Sequence, residues 1–170
     1  IAALNSPTVC PQATITPTAF VSTPVGASFA WANNNINIGL AASGNGQINP
    51  WTAPANNTNA AITGTVTVTP TFNGCAGTPS NFTVTINPTP TVTNNSLSQT
   101  LCSGTSTTAV TWTSNVANTT YAWTGVANSP NVNGFTPSGS GNLPVMTITN
   151  SSNTPQTVTY TVTPTRNGCS

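Results

Sequence analysis

The stretch Thr65–Pro88, TVTVTPTFNGCAGTPSNFTVTINP, alternates threonine with apolar residues on both sides of an Asn-Gly pair. A period of two puts Val66, Val68, Val84 and Ile86 on one face and the threonines on the other, so the pattern predicts strands at Thr65–Thr69 and Phe82–Ile86. Asn73 and Gly74 both tolerate a positive φ, as the tight turn of a hairpin requires. The first half returns at Thr157–Cys169, TVTYTVTPTRNGC. The chain is therefore a tandem repeat, and this hairpin closes each unit.

Other anchors fix the register. Cys10 lies 92 residues before Cys102, Trp31 lies 92 before Trp123, and Cys75 lies 94 before Cys169. Phe29-Ala30-Trp31 matches Tyr121-Ala122-Trp123, and Ser43-Gly44-Asn45-Gly46 matches Ser138-Gly139-Ser140-Gly141. Repeat one then spans residues 1–88 and repeat two 89–170, with Asn87-Pro88-Thr89-Pro90 as a short, stiff linker. In repeat one, strands are expected near Thr14–Val21, Ala27–Ala32, Ile36–Leu40, Ile48–Ala53, Ile62–Phe72 and Asn81–Asn87. In repeat two they are expected near Thr107–Ser114, Thr119–Val126, Val132–Phe135, Leu143–Thr149 and Gln156–Arg166.

Six or seven short strands per ~90–95 residues fit an all-β fold of two tandem immunoglobulin-like sandwiches. Phe29, Trp31, Tyr121 and Trp123 are the expected core aromatics, with the tryptophans plugged between the sheets. Repeat two lacks a counterpart of Gly77–Pro88 and hence its last strand. Either the sequence ends at a repeat boundary, or a neighbouring subunit donates the strand to an open edge. Ile1 in place of Met reads as the start of a fragment or a processed product.

Composition restricts the chemistry. The chain has one arginine, Arg166, and no Lys, Asp, Glu or His. General acid–base catalysis would have only cysteines and tyrosines to use, and neither a carboxylate pair nor a Ser-His-Asp set can be assembled. The expectation is a non-enzyme with no cofactor and no metal. A net charge of +1 offers no footprint for nucleic acid, and no apolar run is long enough for membrane insertion. A surface of neutral Thr, Asn and Ser suits a protein that is anchored, glycosylated or assembled.

Four cysteines at repeating positions, Cys10, Cys75, Cys102 and Cys169, argue for disulfides and an oxidising compartment. Pairing within each repeat is the simpler arrangement, closing loops of about 65 residues worth on the order of 4 kcal/mol. A Cys10–Cys169 bond, the start of a covalent ladder along an array, stays open beside it, as do free thiols.

Trp51 and Trp112 are the candidate glycan contacts, since an exposed indole stacks on sugar rings; core packing is the alternative. The Thr-x-Thr rows read as outward strand faces, broken by Pro70 and Pro164, rather than as an ice-binding lattice. Sequons at Asn56, Asn81, Asn94, Asn118 and Asn150 are expected by chance in so Asn- and Thr-rich a chain. Arg166 stands beside the closing turn, where repeat one has Phe72, and is expected to be solvated.

Leu101-Cys102-Ser103-Gly104, Tyr121-Ala122-Trp123, Thr157–Pro164 and Asn167-Gly168-Cys169 together resemble the PKD-like repeats of Bacteroidota surface proteins. Repeat one keeps the pattern as Val9-Cys10, Phe29-Ala30-Trp31, Thr65–Thr69 and Asn73-Gly74-Cys75, and departs at Pro11-Gln12, where the family has Ser-Gly or similar. The resemblance covers essentially the whole chain. It implies a segment of a long secreted protein like the giant gliding-motility adhesins exported by the type IX system, whose sandwiches act as stalk units. It carries over no catalytic residue. The expected function is that of a structural spacer in an extracellular adhesin or cell-surface filament. Its partners would be neighbouring repeats of the same long chain, with homo-assembly into a fibre as a further expectation. The alternative is a carbohydrate-binding module for surface polysaccharide.

Overall fold

The structure, a computed structural model, describes residues 1–95 and 97–170. The chain divides into two compact units: Ile1–Thr89 together with Cys169, and Pro90–Gly168 together with Ser170.

In the first unit the strands are β1 (Thr8–Val9), β2 (Thr14–Ile15), β3 (Ser28–Asn33), β4 (Ser43–Asn45), β5 (Trp51–Thr52), β6 (Ile62–Phe72), β7 (Cys75–Ala76) and β8 (Ser80–Ile86). The main sheet runs β1-β8-β6-β3-β4, with β7 also on β6, and β2 pairs with β5 in a second, small sheet. The long hairpin holds the alternation in its register: Val66 opposes Phe82 and Gly64 opposes Val84. Val66, Val68, Val84 and Ile86 are fully buried, and Ile15, Ile38 and Ala53 cover them from the other layer. Complete burial of a Val or Ile side chain is worth about 1.5–3 kcal/mol, so this cluster is the main cohesive element of the unit.

Strand β6 continues through Pro70, which falls between its pairing to β8, ending at Val68–Ser80, and its pairing to β7, starting at Thr71–Ala76. A residue with no N–H is tolerated at such a break, so Pro70 does not end the threonine row.

The second unit contains β9 (Thr105–Ser106), β10 (Thr120–Ala127), β11 (Val132–Asn133), β12 (Ser138–Ser140), β13 (Thr147–Asn150) and β14 (Val158–Thr165). Its sheets are β12-β10-β14 and β11-β13-β9. Here β10, β12 and β14 repeat β3, β4 and β6. Among the described residues nothing plays the part of β8, so β14 is a sheet edge. The core gathers Val110, Trp112, Trp123, Leu143 and Met146.

Two expected strands take other forms. Ile36–Ile38 is a 3-10 turn, not an extended strand. The Asn35 side chain accepts from the Asn37 N–H at 3.0 Å, and Gly39 ends the turn at φ 82°. Side-chain acceptors of this kind compete directly with ladder pairing. Thr107–Ser114 forms no strand; among the described residues it pairs through the isolated Val110–Leu143 and Val92–Ser114 bridges.

Amide side chains take the place of a partner strand along that segment. Asn94 accepts from the Thr113 N–H (2.7 Å) and donates to the Thr111 carbonyl (2.8 Å), and Gln99 does the same for Thr108. In the first unit, Asn5 serves Thr16 and Thr18, and Gln47 brackets Phe20 at 2.7 and 3.0 Å. A primary amide presents the same donor and acceptor as a peptide group, so an uncharged, Asn-rich chain satisfies its backbone this way.

Candidate functional site

The residues with any distinct chemistry are the cysteines, and each repeat holds them in two turns of fixed form. The first turn is Cys10-Pro11-Gln12-Ala13, closed by the Ala13 N–H donating to the Cys10 carbonyl at 3.2 Å. Its counterpart, Cys102-Ser103-Gly104-Thr105, is closed by the Thr105 N–H on the Cys102 carbonyl at 3.1 Å. The third residue has positive φ in both, 65° at Gln12 and 83° at Gly104, the pattern of a type II turn. Each third residue also donates its N–H to the second layer, Gln12 to Ala53 and Gly104 to Ile148. Pro11 suits the second position of such a turn. The Pro11-Gln12 departure therefore leaves the loop's shape unchanged, with Gln12 held in a conformation that favours glycine.

The second turn is the closing hairpin. Asn73 and Gly74 have φ of 51° and 79°, Asn167 and Gly168 of 49° and 78°, as a two-residue type I′ connection requires. In the first unit, Phe72 opposes Cys75 across this turn.

One disulfide joins these turns, Cys10–Cys169, between residues 159 apart in sequence with Cα atoms 5.4 Å from each other. Pairing within each repeat is therefore not what the cysteines do: Cys75 and Cys102 carry free, exposed thiols. Cys169 is 2% exposed.

The core aromatics occupy equivalent places. Trp123 is buried and Trp31 half-buried against the core; each lies opposite a glycine on the next strand, Gly139 and Gly44. Phe29 packs on Phe20 (ring centroids 5.6 Å apart) and Tyr121 on Trp112 (6.5 Å). The indole Nε1 atoms of Trp31, Trp112 and Trp123 are buried and make no hydrogen bond among the described residues. A buried N–H of this kind usually finds an acceptor, so these three are held by packing alone.

PKD-like domain is the family whose sequence model matches residues 7–90 and again residues 99–170. The chain belongs to the PKD-like domain family. No curated protein and no solved structure matches it. Membership makes the chain an immunoglobulin-like module of a family that is typically non-catalytic, and together with the disulfide it suggests an extracellular domain.

Trp112, considered above as an exposed sugar contact, is a core residue of the second PKD-like repeat, 7% exposed. Trp51 is half-buried on the first core, and its Nε1 donates to the Ile38 carbonyl at 2.9 Å. Arg166 extends from the closing hairpin to donate to the Asn118 carbonyl at 3.2 Å.

Asn56 and Asn150, which the sequence presents only as chance sequons, are structural residues. Asn56 is 1% exposed; its amide donates to the carbonyls of Ala60 and Ile86, both at 2.9 Å, and its oxygen accepts from Thr58. Asn150 builds the same loop with Ser152 and Thr154. These asparagines are 94 residues apart, the spacing of Cys75 and Cys169, so they occupy equivalent places in the two repeats. Their Asn-x-Ser/Thr pattern is a loop staple. Ser96 of the Asn94 sequon lies outside the described residues.

Proposed function

We propose that the chain is a structural spacer, a stretch of the stalk of an extracellular adhesin or surface filament. Its role is to hold a distal binding region away from the cell and to persist under load. One observation carries this reading: the Cys10–Cys169 bond, which brackets most of the chain. Tension entering before Cys10 and leaving after Cys169 runs through two sulfur atoms, so the buried residues of both cores lie outside the covalent load path, and in the first repeat only the segment up to β1 (Thr8–Val9) carries load. In the chain-entropy account, a bond across 159 residues also stabilises the folded state by on the order of 5 kcal/mol.

Units of one build, each with its own core, suit an array that lengthens by addition. The near absence of charge leaves the surface without long-range repulsion and favours side-by-side association into a fibre. A polysaccharide-binding role through Trp51 and Trp112 is the weaker reading, because one indole is buried and the other uses its N–H internally.

The test is the non-reduced mass of the native polypeptide in its source. A stalk predicts hundreds of kilodaltons. A mass near 17.1 kDa would mean that two repeats are the whole protein and would refute it.

A further inference from the structure

We infer that Cys75 and Cys102 are the two unjoined ends of a disulfide ladder: Cys102 pairs with the closing cysteine of the repeat that follows, and Cys75 with the first-turn cysteine of the repeat that precedes. This rests on the spacer reading for the existence of further repeats. The rule of pairing comes from the bond itself. Cys10 is the first-turn cysteine of repeat one, and Cys169 is the closing cysteine of repeat two. Advancing each member by one repeat leaves Cys102 needing a closing cysteine from repeat three. Stepping back by one leaves Cys75 needing a first-turn cysteine from the repeat before.

The local structure meets this requirement at both ends. Cys102 sits in the same type II turn as Cys10, with the same carbonyl bonded to the residue three ahead. Cys75 follows the same Asn-Gly turn as Cys169. The two closing cysteines differ in surroundings: Cys169, which has its partner, is 2% exposed, whereas Cys75 is exposed. Cys75 also lines a concavity of about 230 Å³ with Ile1, Pro24, Pro70, Phe72 and Thr78. Phe72 is 37% exposed there, an apolar wall beside an available thiol. A first-turn loop carrying a cysteine is the occupant that the pairing rule assigns to this site.

Formation follows thiol–disulfide exchange with a dithiol oxidant in its disulfide form. The Cys102 thiolate attacks one oxidant sulfur and releases the other as a thiolate. The incoming closing-cysteine thiolate then attacks the Cys102 sulfur and releases the second. Two protein thiols are oxidised, one oxidant disulfide is reduced to two thiols, and the two protons pass to the departing sulfurs.

The two free positions are complementary to each other, so the 170-residue protein itself provides the test: Cys102 of one copy should take Cys75 of a second. Cys75→Ser and Cys102→Ser each remove an exposed thiol and leave Cys10–Cys169 in place. One variant is uniformly labelled with 15N, the two are mixed in equal amounts in a reduced/oxidised glutathione buffer, and the dimers are resolved by mass without reductant. The mixed dimer, Cys102 of the first variant bonded to Cys75 of the second, should exceed either homodimer by at least ~10-fold, where random collision gives about two. A statistical mixture of dimers, or thiols that remain free, overturns the ladder. Should either variant fail to fold, peptide mapping of the oxidised unsubstituted protein decides: Cys75–Cys102 peptides support the pairing, and symmetric Cys75–Cys75 or Cys102–Cys102 peptides refute it. Failure of the spacer reading is distinguishable, because a short native polypeptide would sink that reading while leaving the Cys75–Cys102 preference between copies intact.

Discussion

Trp31 on β3 lies directly opposite Gly44 on β4, and Trp123 on β10 lies opposite Gly139 on β12 in the same way. Neither glycine is there for backbone freedom. A Cβ built on either would collide with the six-membered ring of the facing indole, so the tryptophan occupies the space that a side chain would need. Gly44→Ala and Gly139→Ala should each destabilise their repeat by about 2–3 kcal/mol, since overpacking at a rigid ring has no cheap relief. Urea denaturation of each variant measures this; a loss below ~0.5 kcal/mol would contradict the packing account.

Gln12 holds a positive φ that Gly104 holds without strain in the second repeat. Gln12→Gly should stabilise the first repeat by ~0.5–1 kcal/mol, the relief of a left-handed residue less the extra freedom of an unfolded glycine. A lower thermal midpoint for this variant would mean that the Gln12 side chain makes up for its backbone.

Asn56 satisfies the carbonyls of Ala60 and Ile86 from a position closed to water. Asn56→Ala should cost about 2–3 kcal/mol, because those groups lose their partner and remain buried. Asn150→Ala should cost less, about 1 kcal/mol, since that loop is more open to solvent. Equal losses by calorimetry would contradict the role given to burial.

Burial pushes the Tyr160 phenol above its ordinary value of 10.0, partly countered by a backbone hydrogen bond with Thr136. The folded protein therefore keeps this proton more tightly than the unfolded chain. The sign follows from linkage: the contribution is complete below pH 10 and is lost as pH rises through the folded-state value. Tyr160→Phe should flatten the decline of the thermal midpoint above pH 10. An unchanged alkaline slope would refute the assignment.

The closing hairpin was legible because alternation, Asn-Gly and burial all point to one register, and Val66, Val68, Val84 and Ile86 lie where the period puts them. Ile36–Leu40 was not. Its apolar alternation suits a strand, but the Asn35 cap and the left-handed Gly39 decide the local geometry. The strands at Ser43–Asn45 and Ser138–Ser140 carry almost no apolar signal; they exist to set a glycine under an indole. For the cysteines, spacing alone supports either pairing, and the Cys10–Cys169 bond is the one formed. The burial of Trp112 likewise depends on Leu143 and Met146 from a distant segment.

The load-path claim is tested most directly by pulling single molecules from their two ends, before and after reduction. With Cys10–Cys169 intact, the account predicts no release of the enclosed chain up to forces that break covalent bonds. After reduction, unfolding of both repeats should free roughly 55 nm, from 159 residues at about 3.5 Å each. Unfolding steps of that total length in the oxidised protein would show that the disulfide does not carry the load and would contradict the spacer mechanism.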